Sequence, residues 1–123
     1  MSEIVSMTDI TRYQFTNASV PKAYDEFLVP RLFEPWAKLL LEEVKLQPGE
    51  NVHDIATGPG TVSRLAAEKV GSSGRVVATD IAPLMLDIAK AKSLVAGAGP
   101  IEYLESPATP LAVSSEAFNV VLC

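Results

Sequence analysis

The sequence predicts an α/β fold, a Rossmann-like, doubly wound parallel sheet preceded by N-terminal helices. Two observations carry this. From Asn51 onward, short apolar runs alternate with segments of helical periodicity, the strand-helix-strand order that a parallel sheet requires. The first run, Val52-His53-Asp54-Ile55-Ala56, opens into a glycine loop, Thr57-Gly58-Pro59-Gly60. The second, Arg75 to Thr79, delivers Asp80 to the same end of the sheet, twenty-two residues after Gly58. Glycines in such a loop let the backbone turn sharply and let a ligand approach it, and an acid at the end of the next strand can accept hydrogen bonds from ribose hydroxyls. A Gly-x-Gly alone is a weak sign, since most mark only a tight turn. The agreement between loop and acid makes ligand binding the favoured reading.

Residues 1–18 are polar and aperiodic and are expected to form a flexible arm. Helical patterning begins near Pro21, with Tyr24, Phe27 and Leu28 on one face. A second helix runs from Pro30 or Glu34 to Leu46, with Trp36, Leu39, Leu40 and Val44 as its buried stripe and Pro35 as a kink or new start. Gln47-Pro48-Gly49-Glu50 is a turn. Strand one covers Asn51–Ala56. The helix after Gly60 turns Val62, Leu65, Ala66 and Val70 inward and ends at Gly71 to Gly74. Strand two is Arg75–Thr79. Pro83 suits a first helical position, and Leu84, Ile88, Ala91 and Val95 form the stripe of a helix closed by Gly97 and Gly99. Strand three is Ile101–Leu104. After a loop over Glu105–Glu116, Phe118-Asn119-Val120-Val121-Leu122 has the continuous apolar character of a strand buried on both faces.

Composition narrows the function. A chain of 123 residues with 48% hydrophobic and 20% charged residues is a single globular domain at most. Its net charge of −5 gives no electrostatic reason to bind nucleic acid or anionic lipid, so neither is expected as a partner. The single cysteine, Cys123, permits no internal disulfide and suits the cytoplasm, and neither export nor membrane spanning is expected. One histidine and one distant cysteine do not make a metal site, so no metal is expected. His53 lies on the opposite strand face from Asp54 and reads as a structural residue rather than a base.

A dinucleotide fingerprint in this register would require glycines where Ala56 and Thr61 stand. The pattern that fits is Asp54-Ile55-Ala56-Thr57-Gly58-Pro59-Gly60, an acid followed by alternating small residues, which resembles motif I of the class I S-adenosylmethionine-dependent methyltransferases. An acid in the loop suits a ligand bearing an ammonium and a sulfonium, and it repels a pyrophosphate. From Tyr24 to Cys123 the chain is similar to the ubiquinone/menaquinone-biosynthesis type of small-molecule methyltransferase, including the lead-in Tyr24 to Ala37 and the run Asp80-Ile81-Ala82-Pro83-Leu84-Met85-Leu86.

The resemblance implies a cofactor, S-adenosylmethionine, and its contacts: Asp80 on the ribose, Ile81 and Met85 on the adenine, and the backbone of Ala56, Thr57, Gly58 and Gly60 beneath the methionine part, beside Asp54. It implies an Ala108 N–H at the ring, while Pro107 stands where the family has an aspartate that accepts the adenine amino group. It names no catalytic side chain, and it implies a seven-stranded sheet of which residues 19–123 match four strands. The chain is therefore expected to be truncated after strand four, with a small-molecule methyl acceptor and with self-association through the exposed C-terminal strand. A non-catalytic cofactor-binding fragment and, less favoured, a nicotinamide-dependent oxidoreductase are the alternatives.

Overall fold

A computed structural model of the chain describes residues 15, 17–110, 113 and 117–123. The expected arm over residues 1–18 lies almost wholly outside the described residues, as does part of the loop before the last strand. The elements in order are α1 (Ser19–Ala23), a π-helical stretch (Tyr24–Phe33), α2 (Glu34–Val44), β1 (Asn51–Ile55), α3 (Thr61–Val70), β2 (Arg75–Asp80), α4 (Pro83–Lys90), β3 (Ile101–Glu105) and β4 (Val120–Leu122). The four strands are all parallel and stand in the order β3-β2-β1-β4.

That order follows from chirality. Right-handed crossovers that step twice in the same direction, β1 to β2 and β2 to β3, place α3 and α4 on one face of the sheet. On that face Leu41 and Leu46, at and after α2, and Ala66, Ala67 and Val70 of α3 pack against Val52, Val76 and Leu122. The connection from β3 to β4 runs the other way and crosses the opposite face, where the Phe118 ring lies 5.0 Å from the His53 ring and the Arg75 guanidinium 5.2 Å from Phe118. The sheet is thus Rossmann-like and doubly wound in its strand order, as the sequence predicts, with the described helices gathered on one face.

Three expectations change in detail. Pro35 does mark the new start expected of it, in the first turn of α2, where π-helical winding gives way to α-helical. The irregularity lies earlier: the Glu34 N–H donates to the Val29 carbonyl, five residues back, and this wider winding takes up Pro30, whose ring would clash with the preceding turn of an α-helix. The buried face of α2 is rotated from the one read in the sequence. Ala37 and Leu41 are buried in α2, whereas Trp36 is 65% and Leu39 50% exposed, and Phe27 and Leu28 are exposed upstream.

In α4 the buried residues are Met85, Leu86 and Ala89, with Ala82 just before, rather than Leu84, Ile88, Ala91 and Val95. The helix ends at Lys90 because the chain must return to the start of β3, where the Gly99 N–H donates to the Ala67 carbonyl. Finally, β4 is three residues long and is not buried on both faces: Leu122 is buried against the helices, but Val121 is 56% exposed.

The rotation of α2 is testable by chemical denaturation. Leu41→Ala is expected to cost about 2–4 kcal/mol of stability. Leu39→Ala is expected to cost no more than about 0.5 kcal/mol. Equal losses would restore the face read from the sequence.

Candidate functional site

The winding reverses between β1 and β4, and in an open parallel sheet such a reversal leaves a crevice beyond the carboxyl ends of the two strands. A pocket of 410 Å³ lies there. Its floor is the loop after β1 (Ala56, Thr57, Pro59), the start of α3 (Thr61, Val62), Asp54, and Cys123 just beyond β4. Its wall is the N-terminal helical region, through Tyr24, Val29, Phe33, Trp36, Ala37 and Leu40.

The π-helical stretch builds that wall. Tyr24 and Phe33 are nine residues apart, which at about 3.6 residues per turn puts them on opposite sides of an α-helix. Wider winding brings them together, and their rings stack with centroids 4.9 Å apart and planes 18° from parallel. Burial and then the negative charge of Asp80 push the Tyr24 hydroxyl above its ordinary pKa, so this ring joins the wall to the Asp80 end of the site.

Asp54 is 3% exposed. Its Oδ2 accepts hydrogen bonds from the Thr57 and Ser63 hydroxyls, each at 2.7 Å, and those hydroxyls are 2.8 Å from one another. Burial pushes the Asp54 carboxyl up to about 6, against the opposing effect of the hydroxyl and Ser63 N–H donors.

Asp80 ends β2 directly beside the loop. Its Oδ2 accepts the Gly58 N–H and its Oδ1 the Ala82 N–H, both at 2.8 Å. A carboxylate has about four lone-pair sites, so each oxygen keeps one for a ligand. Ala56 turns the chain out of β1 at φ 57°, a left-handed conformation that costs a non-glycine residue roughly 1–2 kcal/mol and is found where function fixes the backbone. Gly60, at φ 81°, is wedged from behind: an added Cβ would lie 3.1 Å from Ala89 Cβ and from the Arg64 guanidinium and 3.2 Å from the Tyr103 hydroxyl. Arg64 also donates to the Pro59 carbonyl at 2.6 Å, which braces the loop on its inner side. On the outer side an added Cβ at Gly58 would meet nothing within 4 Å, so the loop's ligand-facing surface is open.

Of the residues singled out in the sequence, Asp54, Ala56 and Thr57 line the pocket, and Gly58 and Gly60 shape the loop beneath it. Asp80 is tied to that loop through Gly58. Ile81, Met85 and Ala108 do not line this pocket: Met85 is buried under α4 and Ala108 is exposed in the loop after β3. That loop leaves Asp80 through the Ser106 N–H, which donates to the Asp80 carbonyl at 3.0 Å. The next residue, Pro107, is half-buried and its carbonyl accepts the Ser106 hydroxyl. His53 is buried, with its Nε2 2.9 Å from the Thr79 hydroxyl and its pKa lowered by burial, a structural role.

Sequence reasoning missed Thr61, Ser63, Arg64 and Tyr103. The hydroxyls following the glycines were the available signal for the first two. Among the described residues no group of three side chains could hold a metal, and no helix is long and apolar enough to cross a membrane.

The site fits S-adenosylmethionine in kind: free acceptor sites on Asp80, an open glycine backbone, and an acid where a pyrophosphate would be repelled. The model of the ubiE/COQ5 methyltransferase family matches residues 11–123. The chain belongs to that family. It is 31% identical over 107 residues to the ubiquinone/menaquinone biosynthesis C-methyltransferase UbiE of Legionella pneumophila (strain Corby), covering 84% of this chain and 43% of that protein. It is 34% identical over 107 residues to the protein of the same name from Ectopseudomonas mendocina, covering 84% and 42%. The chain thus spans less than half the length of these relatives. A SAM dependent methyltransferase from Aquifex aeolicus superposes with a TM-score of 0.68 at 25% identity, over 87% of this chain and 56% of that one. A Methanococcus maripaludis structure, at 18% identity and TM-score 0.63 over 98% of this chain and 52% of that one, shares the fold.

Asp54 sets a pH dependence. Its folded-state pKa is raised from 3.8 to about 6, so between those values the unfolded chain loses the proton first and stability falls as pH rises. The fall, on the order of 2–3 kcal/mol between about pH 4 and 6.5, is expected in urea titrations of the wild type and is expected to flatten in Asp54→Asn. An unchanged slope in the variant would assign it to another group.

Proposed function

We propose that the chain is the cofactor-binding part of an S-adenosylmethionine-dependent methyltransferase that acts on a small-molecule acceptor. The observation that carries this is the buried acid Asp54 under an open glycine backbone, with Asp80 tied to the same loop. When bound, the cofactor supplies a methyl group on a sulfonium, which an acceptor displaces in line. Such a displacement depends chiefly on positioning. Asp80 orients the ribose, with Ile81, Met85 and Ala108 assigned to the adenine end. The loop from Ala56 to Gly60 holds the methionine end, and Val29, Phe33, Trp36 and Leu40 give an acceptor apolar surface and exclude water. No side chain is nominated as a base. Domain limits of 19–123 and a cytoplasmic setting, supported by the free Cys123, belong to the same reading.

Calorimetric titration tests it. S-adenosylhomocysteine is expected to bind and NADH to bind far more weakly, and Asp80→Ala is expected to cost about 1.5–3 kcal/mol of the former affinity, as loss of a charged acceptor does. Tighter binding of NADH, or an unaffected dissociation constant in the variant, would overturn the assignment.

A second reading concerns association. The outer edge of β4 has no strand beside it among the described residues, and Val121 is exposed on it. Such an edge templates pairing, here with a second copy. Light scattering is expected to give a dimer or larger at tens of micromolar, with Val121→Lys shifting the population toward monomer. A wild-type monomer at that concentration would remove this reading.

A further inference from the structure

Three aromatic rings stand on the wall of the 410 Å³ pocket: Tyr24, Phe33 and Trp36. The π-helical winding brings the first two together as a stacked pair, and Phe33 and Trp36, three residues apart, share a helix face. Phe33 is 37% and Trp36 65% exposed, so ring surface remains open. An aromatic face carries partial negative charge and attracts cations. Elsewhere the chain meets that attraction from within: the Arg31 guanidinium lies 5.6 Å from the centre of the Phe27 ring, and Arg75 stands over Phe118. Among the described residues no cation is placed in this way over Tyr24, Phe33 or Trp36. No lysine or arginine lines the pocket, and its one charged lining residue is the acid Asp54. The pocket therefore favours a positive centre that the protein itself does not supply.

The negative charge of Asp80 is felt at the Tyr24 hydroxyl, so the ring wall begins beside the acid assigned to the ribose, with the loop assigned to the methionine end across the pocket. In S-adenosylmethionine the sulfonium joins those two parts. We propose that Tyr24, Phe33 and Trp36 read the positive charge of that sulfonium through their ring faces. The charged donor thereby gains affinity that the neutral thioether left after transfer does not share, which favours exchange of spent cofactor for fresh. This rests on the S-adenosylmethionine reading above. It adds which side chains tell the methyl donor from its product.

Calorimetry with three ligands tests it: S-adenosylmethionine, sinefungin, in which a protonated amine replaces the methylsulfonium, and S-adenosylhomocysteine, which is neutral at that position. Trp36→Leu and Tyr24→Leu are each expected to weaken the two charged ligands by about three- to thirtyfold, the range of a cation–π contact. Each is expected to change S-adenosylhomocysteine by less than about twofold, since a neutral sulfur gains little from a ring face. Trp36→Phe and Tyr24→Phe, which keep a ring, are expected to retain most of the preference. Thermal unfolding checks that each protein is folded, and Phe33→Leu takes the place of Tyr24→Leu if that variant does not fold. Equal weakening of charged and neutral ligands, or weakening of none, overturns the charge assignment while leaving the cofactor reading intact. Failure of the wild type to bind any of the three overturns the cofactor reading and this inference with it.

Discussion

The functional half of this molecule depends on one buried carboxylate. Asp54 sits at the end of β1, and through two hydroxyls and a backbone N–H it ties that strand to the loop at Thr57 and to the first turn of α3 at Ser63. Burying an acid with only neutral partners is costly, and the raised pKa records that cost. The arrangement persists because the same oxygens organise three elements at once. Remove them and the glycine loop, the start of α3 and the pocket floor lose their common anchor.

Around that anchor the architecture is economical. Strand order alone creates the crevice, and right-handed crossovers bring α3 and α4 to the face where Gly60 is pressed between Ala89, Arg64 and Tyr103. Asp80 reaches the loop from the neighbouring strand and accepts its Gly58 N–H, so the two sequence segments that mark the site are physically bonded. The N-terminal helical region closes the crevice with a wall whose two stacked rings owe their meeting to a π-helical winding.

Much of this is legible in the sequence. Strand positions, the glycine turn and the partnership of Asp54 with the loop and of Asp80 with its neighbour follow from residue types whose chemistry is local. Helix faces were less legible. In α2 apolar residues stand on more than one face, and the buried one, Ala37 and Leu41, is chosen by what packs against the helix rather than by the spacing of Trp36, Leu39 and Leu40. In α4 the buried side is set by the contact of Ala89 with the loop around Gly60, and a small residue gives no apolar signal of its own. The β4 run reads as doubly buried from its composition, yet what covers a strand depends on distant segments. Thr61 and Arg64 escaped notice for a similar reason, since a hydroxyl or a guanidinium in a helix's first turn acquires meaning only from what the fold places beside it.

Trp36 lines the pocket while remaining 65% exposed, and it is the chain's single tryptophan. Indole emission depends on the polarity and the quenching groups around the ring. The unaltered polypeptide therefore carries an optical label at the mouth of its own crevice, and filling or emptying of that space is observable in light emitted by one side chain, free of background from any other indole.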